Sequence, residues 1–550
     1  MNGASGAGAP LLEVSGLGVR IDDRDLLSGV GFRLDAGERV GLIGESGSGK
    51  SLTALSLMGL LPDQLTATGS VRLGGVDGNL LDRPERGWTR LRGDDVAMVF
   101  QEPMSALNPL MRIGNQVGEV LALHRDGLRR VDRRVAVHDL LVSVNLPDPE
   151  RIARSYPHEL SGGQRQRVLI AIAMANTPRL LICDEPSTAL DVTTAAQILD
   201  LIDSTVREHR TALLMITHDL AVVAHLCERV LVMRDGVVVE SGPVAGVFAD
   251  PAHPYTRSLL DASTLQHGES AATVHASSAP VFNEQAVPLI AARAVSRTYR
   301  GTRASLVRRP APVPALVDVS FDVAAGQRFG IVGESGSGKS TLVRLLCALD
   351  TATSGSIRVA GTELVGAAER DLSGLRRDVS IVFQDPMGSL DPRMRVGDIV
   401  AEPMSGRGRP AADVAALVAT MLADVGLDPD AAQRYPHQFS GGQRQRISIA
   451  RALITRPRLL IADEPVSALD VSVRAQVLDL LARLVTEHDL TLLLVSHDLA
   501  VIRHVCDVVA VMHRGRIVEC GPTSDVYERP LEPYTRTLID SAPTLTRPER

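Results

Sequence analysis

The stretch "GLIGESGSGKS" (41–51) decides the fold, and it returns as "GIVGESGSGKS" (330–340). The first copy follows an apolar run, "RVGLI", and precedes a run with helical patterning, "SLTALSLMGLL". That strand–loop–helix context is what gives the pattern GxxxxGK[ST] its meaning. It places Gly44, Gly47 and Gly49 where the backbone must curl and turn its amides toward phosphate oxygens. Lys50 can then reach the β- and γ-phosphates of a nucleotide while the Ser51 hydroxyl binds Mg²⁺. Gly333, Gly336, Gly338, Lys339 and Ser340 repeat the arrangement.

The duplication extends along the chain. "VFQEPMSALNP" (99–109) returns as "VFQDPMGSLDP" (382–392), and "HELSGGQRQR" (158–167) as "HQFSGGQRQR" (437–446). "LLICDEPSTALD" (180–191) returns as "LLIADEPVSALD" (459–470), and "HPYTRSLLDAS" (253–263) as "EPYTRTLIDSA" (532–542). Lys50 and Lys339 stand 289 positions apart, Gln101 and Gln384 283, and Ser161 and Ser440 279, an offset that then holds to His218 and His497. Length therefore varies only among the first three motifs, where surface loops absorb it. The reading is a tandem repeat of one domain, residues 1–263 and 289–550, joined by a flexible linker at 264–288 that is rich in Ala and Ser. A second irregular piece, 300–314, reads as a solvated loop between the first two strands of the second copy.

Both copies supply a metal-holding carboxylate. "LLICDE" and "LLIADE" end buried-strand patterns in two acids. The first, Asp184 or Asp463, is the candidate Mg²⁺ ligand, and the second, Glu185 or Glu464, the candidate base that polarises attacking water. His218 and His497 directly follow the strand-like runs "ALLMIT" and "TLLLVS", at the sheet edge where ligands of open α/β sheets gather, and are expected to contact the γ-phosphate.

Composition excludes several other classes. The 550 residues are too many for one ordinary core. A hydrophobic share of 45% and a charged share of 22% fit a globular protein, and the net charge of −7 gives no footprint for a nucleic-acid partner. Cys183, Cys227, Cys347, Cys506 and Cys520 lie far apart, without metal-ligand spacing, and most of them read as core thiols of a reducing compartment. The start "MNGASGAGAP" lacks the features of a signal peptide, and no apolar run is long enough to span a bilayer, so a membrane role needs another chain to supply the span.

On these motifs the sequence resembles the ATP-binding cassette ATPases, and among them the oligopeptide/dipeptide importer ATPases, over nearly the whole chain. The resemblance implies two tandem P-loop NTPase domains. Each is expected to have a RecA-like α/β core with an antiparallel β subdomain and a helical subdomain bearing the signature "SGGQ". Gln101 and Gln384 become Q-loop glutamines that reach the metal, and Asp191 and Asp470 close the D-loops. In such proteins two cassettes pair head to tail. Lys50, Ser51, Gln101, Asp184, Glu185 and His218 would thus share a site with Ser440, Gly441 and Gly442. Lys339, Ser340, Gln384, Asp463, Glu464 and His497 would share the other with Ser161, Gly162 and Gly163. Helix-terminal amides suit the γ-phosphate there, although Ser161 is also a good N-cap on its own account.

Tyr299 fits the adenine-stacking position of the second copy, where the first has Ile21, an aliphatic residue without a π-face. The resemblance implies that the Q-loops and the helical stretches 131–146 and 411–427 form grooves that receive a permease coupling helix, and the turns "PMSALNP" and "PMGSLDP" resemble those of peptide-importer cassettes. The cofactors implied are ATP and Mg²⁺. The partners implied are two integral-membrane permease subunits and an extracytoplasmic substrate-binding protein, with the chain peripheral on the cytoplasmic face of the cell membrane. Peptides are the expected cargo, with glutathione, nickel complexes and peptide antibiotics as alternatives. A soluble twin-cassette factor acting on ribosomes or DNA fits less well, because the linker is short and unpatterned and the cysteines are scattered.

Overall fold

The computed structural model describes residues 9–125, 127, 129–188, 190–267, 287–299, 312–467 and 469–541. Contacts divide the chain into two compact units, with the main change between Ser263 and Thr264. Most of the expected linker and most of the 300–314 loop lie outside the described residues. The helix Pro254–His267 continues past the position where the linker was expected to start.

In the first unit the strands are β1 (Leu12–Ile21), β2 (Arg24–Leu34), β3 (Arg39–Ile43), β4 (Leu65–Leu73), β5 (Val96–Val99), β6 (Leu180–Asp184), β7 (Ala212–Ile216), β8 (Arg229–Arg234) and β9 (Val237–Pro243). They form an antiparallel sheet in the order β2-β1-β4 and a six-stranded sheet in the order β5-β6-β7-β3-β8-β9. The larger sheet is parallel except at its edge, where β9 runs antiparallel to β8. Parallel strands covered on both faces read as unbroken apolar runs, which is why "LLICD" and "ALLMI" show no alternation although every residue in them is buried.

The alternation reappears in which core each side chain joins. Leu213 and Met215 of β7 pack with the helices that carry Ile113, Leu141 and Ile170. Leu214 and Ile216, pointing the other way, pack with Leu12, Leu27 and Leu73 of the antiparallel sheet. The central sheet is therefore sandwiched between a helical layer and a β layer. All its parallel strands deliver their C-terminal ends to one edge.

The second unit repeats this plan with β10 (Ile290–Tyr299), β11 (Val313–Val323), β12 (Arg328–Val332), β13 (Ser354–Val359), β14 (Thr362–Glu363), β15 (Val379–Val382), β16 (Leu459–Asp463), β17 (Thr491–Ser496), β18 (Val508–His513) and β19 (Arg516–Pro522). Its sheets run β11-β10-β13-β14 and β15-β16-β17-β12-β18-β19. The helical stretches expected between the glutamine and signature motifs form as Arg130–Ser143 and Ala411–Asp424. Two local readings change. The helix after the first glycine loop stops at Leu57, short of the expected run, and the turns at Pro103–Ala106 and Pro386–Ser389 are each wound into a single helical turn.

Candidate functional site

The glycine loop leaves β3 and enters the helix Lys50–Leu57, as its spacing requires. Gly44 adopts a φ of +155°, and a Cβ there would lie 2.2 Å from the Met233 carbonyl oxygen, so the loop is pressed against the end of β8 where only glycine fits. Gly333 shows the same approach to Met512. The buried Lys50 ammonium donates to the carbonyls of Gly44 and Glu45, both at 2.8 Å, and Lys339 does the same to Gly333 and Glu334 at 2.7 and 2.9 Å. Burial pushes the Lys339 pKa down, opposed by the charges of Glu464 and Asp463.

At the same sheet edge β6 ends in Asp184 and Glu185. The Asp184 carboxyl is pushed up by burial and by the Glu185 charge, against the Ser51 hydroxyl bonded to it and the Lys50 charge. Its counterpart Asp463 is pushed up to about 6, by burial and then by Glu464. Asp184 Oδ1 and Asp463 Oδ1 are buried and have no hydrogen-bond partner among the described residues. A buried carboxylate oxygen without a partner beside a phosphate-type loop suits a divalent cation ligand.

Glu185 and Glu464 each sit at φ +47°, a left-handed conformation that a glutamate adopts only under constraint, held by amide bonds to Ile216 O and Val495 O. This turn aims the carboxylate back across the sheet edge. Gln101 Nε2 donates to Glu185 Oε2 at 2.9 Å, and His218 Nδ1 lies 3.1 Å from Oε1. In the second unit Gln384 Nε2 donates to Glu464 Oε2 at 2.8 Å and His497 Nδ1 lies 3.1 Å away. Burial pushes both glutamates up, but contacts to His218 and His497 and the charges of Lys50 and Lys339 outweigh it, so both stay below the usual carboxylate range. Each is therefore ionised at neutral pH and can accept a proton from water.

Of the expected residues, each unit brings its own glycine loop, glutamine, two acids and histidine together. The signature serine and glycines make different contacts. Ser161 caps the helix Gly162–Met174, accepting from the Gln164 amide while Gln164 Oε1 accepts from the Ser161 amide, and Ser440 and Gln443 repeat this box. Gly163 has a packing reason of its own, since a Cβ would meet Thr194 Cγ2 at 2.4 Å, and at Gly442 it would meet Val473 Cγ1 at 2.2 Å. Gly162 and Gly441 would meet only ordinary contacts at 3.5 Å. Asp191 and Asp470 directly precede the helices Val192–His209 and Val471–Glu487.

Tyr299 and Ile21 end equivalent strands, and the Tyr299 ring has the Arg297 guanidinium 4.7 Å from its centroid and its hydroxyl on Asp350. Sequence reasoning missed Thr188, whose hydroxyl donates to Glu185 Oε2 at 2.9 Å. It also missed the arginines of the signature. Arg165 donates to Pro157 O, and Arg167 bridges Val144 O and Gln197 Oε1, with Arg444 and Arg446 repeating both contacts. Their recurrence in both copies was the available signal.

A glycine loop with a buried lysine, a strand-end aspartate with a free oxygen and a glutamate held by glutamine and histidine, present twice, define a P-loop nucleotide hydrolase with two catalytic units. Family comparison agrees. The ABC transporter model matches residues 27–188 and 316–467, and the model of the oligopeptide/dipeptide transporter C-terminal region matches 239–283 and 518–550. The chain belongs to the ABC transporter family and is an ATPase with two ATP-binding cassettes. It is similar to the peptidoglycan transport ATP-binding protein YejF of Agrobacterium fabrum, with 44% identity covering 97% of this chain and 96% of that one. It is similar also to the oligopeptide transport ATP-binding protein OppD of Mycobacterium tuberculosis, at 41% over 97% and 98%. The glutathione import ATP-binding protein GsiA of Escherichia coli matches at 42% over 94% and 87%. No described helix is long and apolar enough to cross a membrane.

Proposed function

We propose that this chain hydrolyses ATP to drive an importer of peptides. In this reading it is held at the cytoplasmic face of the membrane by two integral-membrane permease subunits that an extracytoplasmic binding protein supplies with cargo. The observation that carries the proposal is that each cassette is followed by its own oligopeptide/dipeptide C-terminal region. The printed roles of the relatives, in oligopeptide, glutathione and peptidoglycan transport, support import of peptide-like cargo.

Within each site, Lys50 or Lys339 neutralises the phosphates as the loop amides wrap them. Ser51, Asp184 and Gln101, and in the second copy Ser340, Asp463 and Gln384, hold Mg²⁺, which when bound disperses charge from the phosphate oxygens. Glu185 and Glu464 orient the attacking water and take its proton, and His218 and His497 fix the glutamate and contact the γ-phosphate. Ser440, Gly441 and Gly442 complete the first site and Ser161, Gly162 and Gly163 the second, with Asp191 and Asp470 at the same junctions. Tyr299 stacks on adenine. Binding of ATP draws the cassettes together and hydrolysis releases them, which switches the permease between access states.

The test is purification of the tagged chain from its native membranes in mild detergent, followed by identification of what accompanies it. Two multi-span proteins, and ATP turnover by the assembly that rises with a peptide-loaded binding protein, are expected. Ribosomes or DNA in their place would overturn the transport reading.

A further inference from the structure

The repeated "PYTR" segment lies outside the hydrolytic chemistry, yet the structure gives it a place. Tyr255 stands at the start of the helix Pro254–His267, and its hydroxyl accepts a hydrogen bond from the Glu45 amide at 3.0 Å. Tyr534, on the helix Pro533–Asp540, accepts from the Glu334 amide at 3.3 Å. Glu45 and Glu334 are the second residues of their glycine loops, and their carbonyls hold Lys50 and Lys339.

Further contacts around each tyrosine hold it in place. Arg234 lies 5.0 Å above the Tyr255 ring, and at the equivalent position the His513 ring lies 3.8 Å from that of Tyr534. The turn before each tyrosine is clamped by an acid from the edge strand. Glu240 accepts from the amides of Ala252 and His253 at 2.8 and 3.0 Å, and Glu519 from those of Leu531 and Glu532 at 2.9 and 3.2 Å. Arg257 and Arg536 then bond back to the carbonyls of Pro251 and Pro530. The same chain of contacts thus runs, in both units, from the edge strand through the tail to one amide of the glycine loop. The loop is also pressed against the Met233 or Met512 carbonyl. Burial pushes both phenols up to about 12, so each stays a neutral hydroxyl throughout the physiological range.

We propose that Tyr255 and Tyr534 are positioning residues of the two nucleotide sites, holding the entry of the glycine loop so that its carbonyls keep the lysine aimed and its later amides stay open for phosphate. The inference rests on the loops after β3 and β12 being the phosphate loops. It makes the C-terminal region a structural part of the ATP site.

The test uses the full chain and Mg²⁺–ADP, titrated by calorimetry so that turnover does not interfere. With Lys339→Ala silencing the second site, Tyr255→Phe keeps the ring and removes only the hydroxyl that accepts from the Glu45 amide. The dissociation constant at the first site is expected to rise about threefold to tenfold, the worth of one hydrogen bond. Tyr534→Phe in a Lys50→Ala background is expected to do the same at the second site. An unchanged dissociation constant overturns the proposal, even if the melting temperature falls, because a purely architectural tyrosine would shift only the latter. Full-strength ADP binding in the Lys50→Ala, Lys339→Ala chain would instead bring down the phosphate-loop assignment, and that control is read separately.

Discussion

The two units repeat their chemistry residue by residue, so the few positions where they differ are informative. In the first unit Thr188 donates to the Glu185 carboxylate, whereas its counterpart Ser467 donates to the backbone carbonyl of Glu464. A hydroxyl bonded to the ionised form makes a carboxylate a weaker base. Site one is therefore expected to turn over more slowly, by about twofold to fivefold for so modest a change in basicity. Residual ATPase after Glu464→Gln, which leaves site one, should be lower than after Glu185→Gln, and Thr188→Val should remove the difference. Equal residual rates would show that the threonine does not tune the glutamate. The second difference is Ile21 against Tyr299. An aromatic face is worth about 0.5–1.5 kcal/mol beyond area in ring pairs. Ile21→Tyr is accordingly expected to tighten nucleotide binding at site one by about twofold to tenfold, read by titration in the Lys339→Ala background. No change on adding the ring would mean that the end of β1 does not face adenine.

At the scale of the element, the signature run shows how one motif carries both architecture and chemistry. Its serine and glutamine close a capping box, its two arginines tie the helix to neighbouring backbone carbonyls, and its second glycine makes room for Thr194 or Val473. The first glycine has no such packing duty. Gly162→Ala and Gly441→Ala should thus leave the melting temperature unchanged or slightly raised, since alanine favours a helix over glycine by about 0.5–1 kcal/mol, while lowering ATP turnover. Gly163→Ala and Gly442→Ala should lower stability by about 1–3 kcal/mol through overpacking, seen in thermal unfolding without nucleotide. A Gly162→Ala chain with full turnover would remove that glycine from the phosphate site.

The glycine loops, the strand-end acids and the histidines were legible because each depends on local spacing along one strand and its loop. The roles of Tyr255, Thr188 and Arg167 were not. The tyrosine meets its partner amide across 210 positions of chain, and the arginine bridges helices that only the folded core brings together. Helix ends were also misjudged where tertiary contacts decide them. The Lys50–Leu57 helix stops just before Gly59, whose φ of +60° and close approach to the Trp88 ring end the run that apolar patterning alone would have continued.

The whole molecule raises the question of why two such cassettes share one chain. If 264–288 is the flexible linker that its composition suggests, a chain of that length would have a root-mean-square span of roughly 25–30 Å. Two partners joined this way see each other at an effective concentration on the order of millimolar. Cassette pairing within one chain should then be independent of dilution. The specific ATPase rate is expected to stay constant from nanomolar to micromolar chain. The hydrolysis-deficient Glu185→Gln, Glu464→Gln chain should keep the mass of one 58.7 kDa chain in light scattering when ATP is added. Cleavage at a protease site inserted within 268–286 should make the rate fall as the sample is diluted, because the same interface would then have to form between separate molecules. A doubling of mass with ATP, or a rate that depends on concentration before cleavage, would instead show that the cassettes pair across two chains, and the linker would then serve only to fix their ratio at one to one.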